Sequence, residues 1–287
     1  MKGMILAGGS GSRLWPLTLV VNKHLLAIAD KPMVYYPLSV LMLAGIRDIL
    51  IITTPADVSL YQQLLGDGRR WGMSFSFAAQ PKPEGLAQAY IIGEAFLAGE
   101  PSMMILGDNI FYGHSMTQTL REAATLTYGA KVFAYHVEHP ERFGVVTFHP
   151  DGSLHELIEK PTTPVSHWAL VGLYVFDGHV AKDARLLKPS DRNELEITDL
   201  MREYHMRHEL AVDKLGRGIA WLDTGTPESL VDASMFIETI QRQQGQEVAC
   251  PEEIAWQNGW IDDSQLLQLA DALGKSRYGQ YLRTLPP

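Results

Sequence analysis

Short runs of uninterrupted apolar residues, separated by stretches with helical spacing, constrain this chain more than any other feature. The runs are Met4–Ala7, Ile49–Ile52, Phe75–Ala79, Met103–Leu106 and Val132–Tyr135. Between them, apolar residues recur at helical intervals over Tyr36–Ala44, Val58–Leu65, Leu86–Leu97 and Met116–Ala124. A strand that is apolar at every position has no face to give to water, so it belongs in a sheet covered on both sides. Helices between such strands supply the crossovers that parallel strands require. The alternation predicts an α/β fold with a doubly wound, mostly parallel, Rossmann-like sheet.

Beyond Pro140 the texture changes. Gly144–Phe148 and Leu154–Glu159 flank His149-Pro150-Asp151-Gly152, a turn sequence that predicts a hairpin. Further strands are expected at Val171–Phe176 and Ala220–Leu222, and helices at Ile197–Met206, Pro227–Arg242 and Ser264–Leu273. At 287 residues the chain sits near the upper limit for one hydrophobic core, and no linker, repeat or low-complexity tract divides it. A single domain over 1–287, one core with later insertions, is the expectation.

Composition narrows the function classes. Hydrophobic residues make up 46% of the chain and charged residues 20%, which suits a packed core. A formal net charge of −9 argues against nucleic acid as a partner. The single Cys250 excludes an internal disulfide framework and a multi-cysteine metal site. Met1–Ala7 enters a strand pattern directly, without a signal-peptide pattern, and every apolar run is too short to cross a bilayer. A cytoplasmic location with no membrane partner is expected. Of the ten histidines, His136 and His139 bracket a strand end, and His205 and His208 fall at i, i+3 of an expected helix. Without further ligands nearby, both pairs read as surface or packing residues.

The first strand empties into Gly8-Gly9-Ser10-Gly11-Ser12-Arg13-Leu14. Glycines permit a backbone approach that any Cβ would obstruct, so several N–H groups can converge on a phosphate. The Gly-Lys-Ser/Thr ending of a Walker loop is absent, and Leu14 stands where a dinucleotide fingerprint has its third glycine. A turn with no ligand and an NAD-binding turn remain alternatives, although Arg13 and Lys23 supply cations suited to phosphate. Asp108 follows an apolar run, at a strand's carboxyl end, where ligands of open α/β sheets collect. Asp223 follows another. Each aspartate alone reads as a turn or N-cap residue.

With Trp15-Pro16-Leu17-Thr18, Lys23-His24-Leu25-Leu26 and Lys31-Pro32-Met33-Val34-Tyr35-Tyr36-Pro37-Leu38, the glycine-rich segment resembles the signature of the sugar-nucleotide pyrophosphorylases. The resemblance continues through Leu64-Leu65-Gly66-Asp67-Gly68, Gln80-Pro81, Gly85-Leu86-Ala87-Gln88-Ala89 and Cys250-Pro251-Glu252-Glu253-Ile254-Ala255. It covers nearly the whole chain and is strongest towards bacterial members that use dTTP and glucose 1-phosphate. A UTP-using enzyme is the alternative within the same chemistry, since one base methyl separates the two nucleotides. A non-catalytic sensor of nucleotide sugars is an alternative of another class.

The resemblance implies attack of a sugar-1-phosphate oxygen on the α-phosphorus of a nucleoside triphosphate, with release of pyrophosphate. It implies a nucleotide half over 1–135, a sugar half over 136–230 and a helical assembly or regulatory region over 231–287. Gly8, Gly11, Ser12, Arg13 and Lys23 would hold the triphosphate, with His24 close by. Gln80, Gly85 and Leu86 would receive the base. Asp108 and Asp223 would bind Mg²⁺, and Asp108 and Asn109 would also contact substrate. On the sugar side it implies Gly144, Glu159, Lys160, Val171, Tyr174, Glu194 and Trp221, with Arg13, Lys23, Asp108 and Lys160 carrying the catalysis. Read alone, Glu159 and Lys160 are a solvated pair at a strand end, and Trp221 fits a core position nearly as well. A homotetramer, and feedback inhibition by a dTDP-sugar at a second site near Phe111-Tyr112-Gly113-His114, are also implied. The chain departs from the family pattern at Ser12 (usually Thr), His24 (usually Gln), Ala27 (usually Pro) and Ala29 (usually Tyr). These departures bear on nucleotide choice and pH dependence rather than on the reaction class.

Overall fold

The computed structural model describes residues 1–9 and 11–286, so Ser10 of the glycine-rich loop lies outside the described residues. In chain order the strands are β1 (Lys2–Ala7), β2 (Ala27–Ile28), β3 (Lys31–Pro32), β4 (Asp48–Thr53), β5 (Ser74–Ala79), β6 (Ser102–Leu106) and β7 (Asn109–Gly113). They continue as β8 (Ala130–His136), β9 (Val145–Phe148), β10 (Leu154–Ile158), β11 (Trp168–Phe176), β12 (Leu210–Lys214) and β13 (Ile219–Asp223).

The central sheet runs β12-β8-β11-β6-β1-β4-β5, with every neighbour parallel except β11. The β9–β10 hairpin joins beside the start of β11, where Ala169 pairs with Val145. This is the mixed, mostly parallel sheet that the apolar runs predicted. Both faces are covered, and the side chains of β1 show why. Ile5 and Ala7 enter one hydrophobic cluster, whereas Met4 and Leu6 enter another on the opposite face. Period-2 alternation thus feeds two cores from one strand. The first cluster includes Leu38, Leu41 and the C-terminal Ile254, Leu266 and Leu282. The second includes Tyr90, Val180, Leu200 and Tyr204 from helices on the other side.

Two expectations need correction. The helix expected over Leu86–Leu97 is two short helices, Gln88–Ile92 and Glu94–Leu97, interrupted at Gly93. A Cβ on Gly93 would lie 2.9 Å from Met4 Cε, so this helix must cross β1 at a residue without a side chain. His205 and His208 do not share a helix, because the helix ends at Met206 and His208 adopts φ +59°.

The long helix Pro227–Gln244 is defined by local chemistry at both ends. Thr226 and Ser229 form a reciprocal capping box, Pro227 fills the first turn, and Gly245 closes the helix at φ +68°. Its Ala233 and Ile237 cover a third cluster with Ile28, Met33 and Ile110. This helix braces a two-stranded antiparallel ladder, β7–β13, that stands apart from the main sheet.

Candidate active site

A cleft of about 310 Å³ opens over the carboxyl ends of the central strands. The glycine loop leaves β1, Gln80 follows β5 and Asp108 follows β6, so strands distant in sequence deliver their next residues to one place. Of the residues expected at the site, Gly8, Arg13, Lys23, His24, Gln80, Gly85, Leu86, Asp108 and Asn109 line the cleft on one side. Gly144, Glu159, Lys160, Tyr174, Glu194, Trp221 and Asp223 line it on the other.

Three expected residues lie elsewhere. Val171 is fully buried in the first cluster, because Leu170, Gly172 and Tyr174 take the cleft-facing positions of β11 and leave Val171 pointing through the sheet. Gly11 (φ +59°) starts a short 3₁₀ turn and receives the Thr18 hydroxyl on its carbonyl at 2.7 Å. Ser12, the first residue of that turn, is exposed. Neither Gly11 nor Ser12 lines the cleft.

The ladder β7–β13 brings the two aspartates together. Asp223 pairs in register with Asn109, one residue from Asp108. The Thr224 amide and hydroxyl both donate to the Asp108 carbonyl, at 3.1 and 2.9 Å, which fixes the strand end. Asp108 accepts from Lys23 Nζ and, at 3.0 Å, from Asn109 Nδ2. Asp223 faces Arg142, whose Nη2 lies 3.2 Å from Oδ2. Burial opposes charge on Asp108, but the Lys23 ammonium prevails and holds its carboxyl at about 2. Burial, reinforced by the Asp108 charge, pushes Asp223 up to about 6. Two half-buried carboxylates side by side, one reluctant to ionise, form a site that favours an additional cation.

Asn109 is a hub rather than a free recognition group. Its Oδ1 accepts from Trp221 Nε1 at 2.6 Å and from the Gly172 amide at 3.0 Å. A Cβ on Gly172 would sit 2.7 Å from that same oxygen, which accounts for the glycine. Trp221 is both a core and a wall residue, since it packs on Tyr135 and Phe143 while its ring edges the cleft.

On the glycine-loop side, Gly8 meets Gln80 so closely that a Cβ would lie 2.6 Å from its Oε1. Gln80 Nε2 donates to Gln88 Oε1 at 2.7 Å. Gly85 has φ +106°, and a Cβ there would lie 2.3 Å from the Leu195 carbonyl oxygen. His24 is buried, with Nδ1 2.8 Å from Asn22 Oδ1. Burial, then the Lys23 charge, lowers its imidazole to about 3.

On the other side, Glu159 accepts from Thr198 Oγ1, from Arg192 at 3.1 Å and from Lys160 at 3.3 Å. Lys160 adopts φ +38°, a sparsely populated conformation for a residue with a side chain. Arg192 also gathers Glu194 at 3.5 Å and Glu196 at 2.7 Å. Arg142, Glu196 and Thr198 line the cleft, and Arg192 organises its acids; none of these four emerged from the sequence. The available signal was proximity, because Arg142 precedes Phe143-Gly144 and the others flank Glu194.

Among the described residues, no group of three or more His, Cys, Asp or Glu side chains is placed to hold a metal ion. Asp108 and Asp223 are a pair. Among the described residues, no helix is long and apolar enough to cross a membrane.

Comparison with known proteins agrees with this geometry. A family model described as nucleotidyl transferase matches residues 2–240. A glucose-1-phosphate thymidylyltransferase of Neisseria meningitidis serogroup A is 57% identical over 285 residues, covering 99% of each chain. One from Mycobacterium tuberculosis is 51% identical, again over 99% of both chains. Among solved structures, a putative glucose-1-phosphate thymidylyltransferase from Bacillus anthracis, in complex with a sucrose, superposes with a TM-score of 0.76 at 40% identity. It covers 82% of this chain and 94% of its own. A UDP-glucose pyrophosphorylase complexed with UDP-glucose gives 0.72 at 25% identity, covering 83% of this chain and 98% of its own. A glycine-rich turn at the head of a parallel sheet, two facing aspartates and near-full-length similarity lead to one assignment: the chain belongs to the nucleotidyl transferase family.

Proposed function

We propose that this chain converts dTTP and glucose 1-phosphate to dTDP-glucose and pyrophosphate. The observation that carries the reading is a cleft with two chemically different ends meeting at a pair of carboxylates. One end has a glycine turn, Arg13, Lys23 and Gln80; the other has Glu159, Lys160 and Tyr174. The names of the relatives, at up to 57% identity over the full length, support the thymidylyl reading over the uridylyl one.

The reaction brings two anions together. A sugar-phosphate oxygen forms a bond to the α-phosphorus while the bond from that phosphorus to the bridging oxygen of pyrophosphate breaks. The protein must therefore neutralise and align charge more than it must move protons. Arg13 and Lys23 neutralise the triphosphate, and the backbone of Gly8 lets the nucleotide approach. Gln80, Gly85 and Leu86 frame the base. Glu159 accepts hydrogen bonds from sugar hydroxyls, Lys160 meets the sugar phosphate as a point charge, and Trp221 walls the sugar pocket. Enzymes of this family generally use a divalent metal, and the donor set here suits Mg²⁺. Two carboxylates are hard oxygen ligands, and the raised carboxyl of Asp223 marks a place where added positive charge lowers the energy. When bound there, Mg²⁺ would screen the negative charge that accumulates on the phosphates.

Further parts of this reading rest on the family resemblance: a single domain divided at 1–135, 136–230 and 231–287, a homotetramer, a cytoplasmic setting and a dTDP-sugar inhibitor near exposed His114. The decisive experiment incubates the protein with glucose 1-phosphate, Mg²⁺ and either dTTP or UTP, and measures pyrophosphate. Faster release with dTTP is expected. Equal or faster release with UTP overturns the thymidylyl assignment.

A further inference from the structure

Each carboxylate of the Asp108–Asp223 pair already has a cation of its own. Lys23 donates to Asp108, and Arg142 lies 3.2 Å from Asp223. Lys23 belongs to the triphosphate end by its place in the chain. Arg142 belongs to neither set of expected residues. It sits in a short 3₁₀ turn, Pro140–Arg142, between β8 and β9, and reaches across to the end of β13. Its guanidinium also lies 5.6 Å from the ring centroid of Phe143, which in turn packs on Trp221. The side chain is 41% exposed, and among the described residues this one ion pair and the Phe143 ring are what hold it.

We infer that Arg142 is a positioning residue that guards Asp223 in the substrate-free protein and yields it to the divalent cation. The inference rests on the reading of Asp108 and Asp223 as the metal pair. The charge arithmetic is simple. Two carboxylates with two basic side chains sum to zero, so the divalent ion the pair favours binds less tightly than it would without the Arg142 guanidinium on Asp223. The ion competes with a guanidinium for the same oxygen, and incoming phosphates give that guanidinium somewhere else to go. Binding of metal and of polyphosphate are then coupled through Arg142, each making room for the other. The geometry favours this over a fixed structural brace, because a brace would be buried and would bond more than one acceptor, whereas among the described residues the one hydrogen bond of Arg142 is to Asp223.

The test is the affinity of the substrate-free, full-length protein for Mn²⁺ alone, read from the electron paramagnetic resonance signal of the unbound ion. Arg142→Ala and Arg142→Gln are expected to bind Mn²⁺ about fivefold more tightly than the wild type, the scale set by losing one partly exposed ion-pair competitor. Arg13→Ala, which removes a cleft cation that makes no ion pair with the aspartates, is expected to change the affinity less. In turnover, Arg142→Ala is expected to need less metal for half-maximal rate while kcat/KM for the phosphate substrates falls. A structural brace predicts no gain of metal affinity. Unchanged or weaker Mn²⁺ binding in both Arg142 variants overturns the inference, as does an equal gain in Arg13→Ala. Wild-type Mn²⁺ affinity in Asp223→Asn instead overturns the metal reading beneath it.

Discussion

Asp108 meets Lys23, Asn109 and, through its backbone, Thr224, so replacing its charge removes one function while most of its shape remains. Asp108→Asn is expected to abolish metal-dependent turnover with secondary structure intact by circular dichroism; near-normal activity would overturn its role. His24 gives a pH signature. Asn22 Oδ1 accepts a hydrogen bond from Nδ1, and Nε2 faces Gly107, where a Cβ would lie 3.0 Å away. Burial and Lys23 lower this imidazole to about 3, against 6.5 in an unfolded chain. Between those values the unfolded chain binds a proton that the folded chain excludes. Stability therefore rises with pH through that window, levels off above it, and is lost as the solution is acidified. The metal-free wild type should lose up to ~1.4 kcal/mol more per pH unit than His24→Gln between pH 6 and 4. Urea unfolding midpoints measure the difference, and parallel pH profiles would exclude it.

At the scale of elements, Gly85 fixes how the base-side loop meets the loop before the helix Ile197–Met206. Its φ of +106° and the 2.3 Å approach of a Cβ to the Leu195 carbonyl leave no room for even a methyl group. Gly85→Ala should cost about 1–3 kcal/mol of stability and raise the KM for the triphosphate, as read from thermal melts and initial rates. An unchanged melting temperature would show that the two loops part freely. The same scale shows what the sequence could reveal. Central strands such as Ile49–Ile52 were legible because burial on both faces demands apolar residues at every position. β12 was not: Leu210–Lys214 is an edge strand, half wet, and mixes Asp213 and Lys214 with its apolar residues. β7 was hidden for another reason. Only two residues separate Asn109–Gly113 from the end of β6, and its partner β13 lies more than a hundred residues away. Motif residues were legible one at a time, with Val171 misplaced by a single step of alternation. Arg142, Arg192 and Thr198 were not, because their meaning is a contact that exists only after folding.

Across the whole molecule, Lys31 ties the two ends of the chain together. Its ammonium is buried with Asp30 and Glu247 at 2.9 Å, Gln241 at 3.0 Å and the Val248 carbonyl at 2.9 Å. The residues after the long helix are thereby held to the β2–β3 hairpin. Lys31→Met would leave Asp30 and Glu247 facing each other without a cation, and should cost about 3–5 kcal/mol at neutral pH. Denaturant titration of the full chain tests this, and a loss below 1 kcal/mol would show that the network is dispensable.

The ladder between β7 and β13 has a consequence for how the enzyme comes into being. A chain emerging from the ribosome has its glycine turn, Lys23 and Asp108 long before residue 223 is made. Until the later strand docks on the earlier one, the second carboxylate is missing and Thr224 cannot fix the first. On the proposed roles, a nascent or truncated chain would hold its glycine turn, Lys23 and Asp108 and still lack the carboxylate pair. With the two aspartates in the metal-holding roles proposed for them, phosphate chemistry would stay switched off until nearly four-fifths of the molecule has been built.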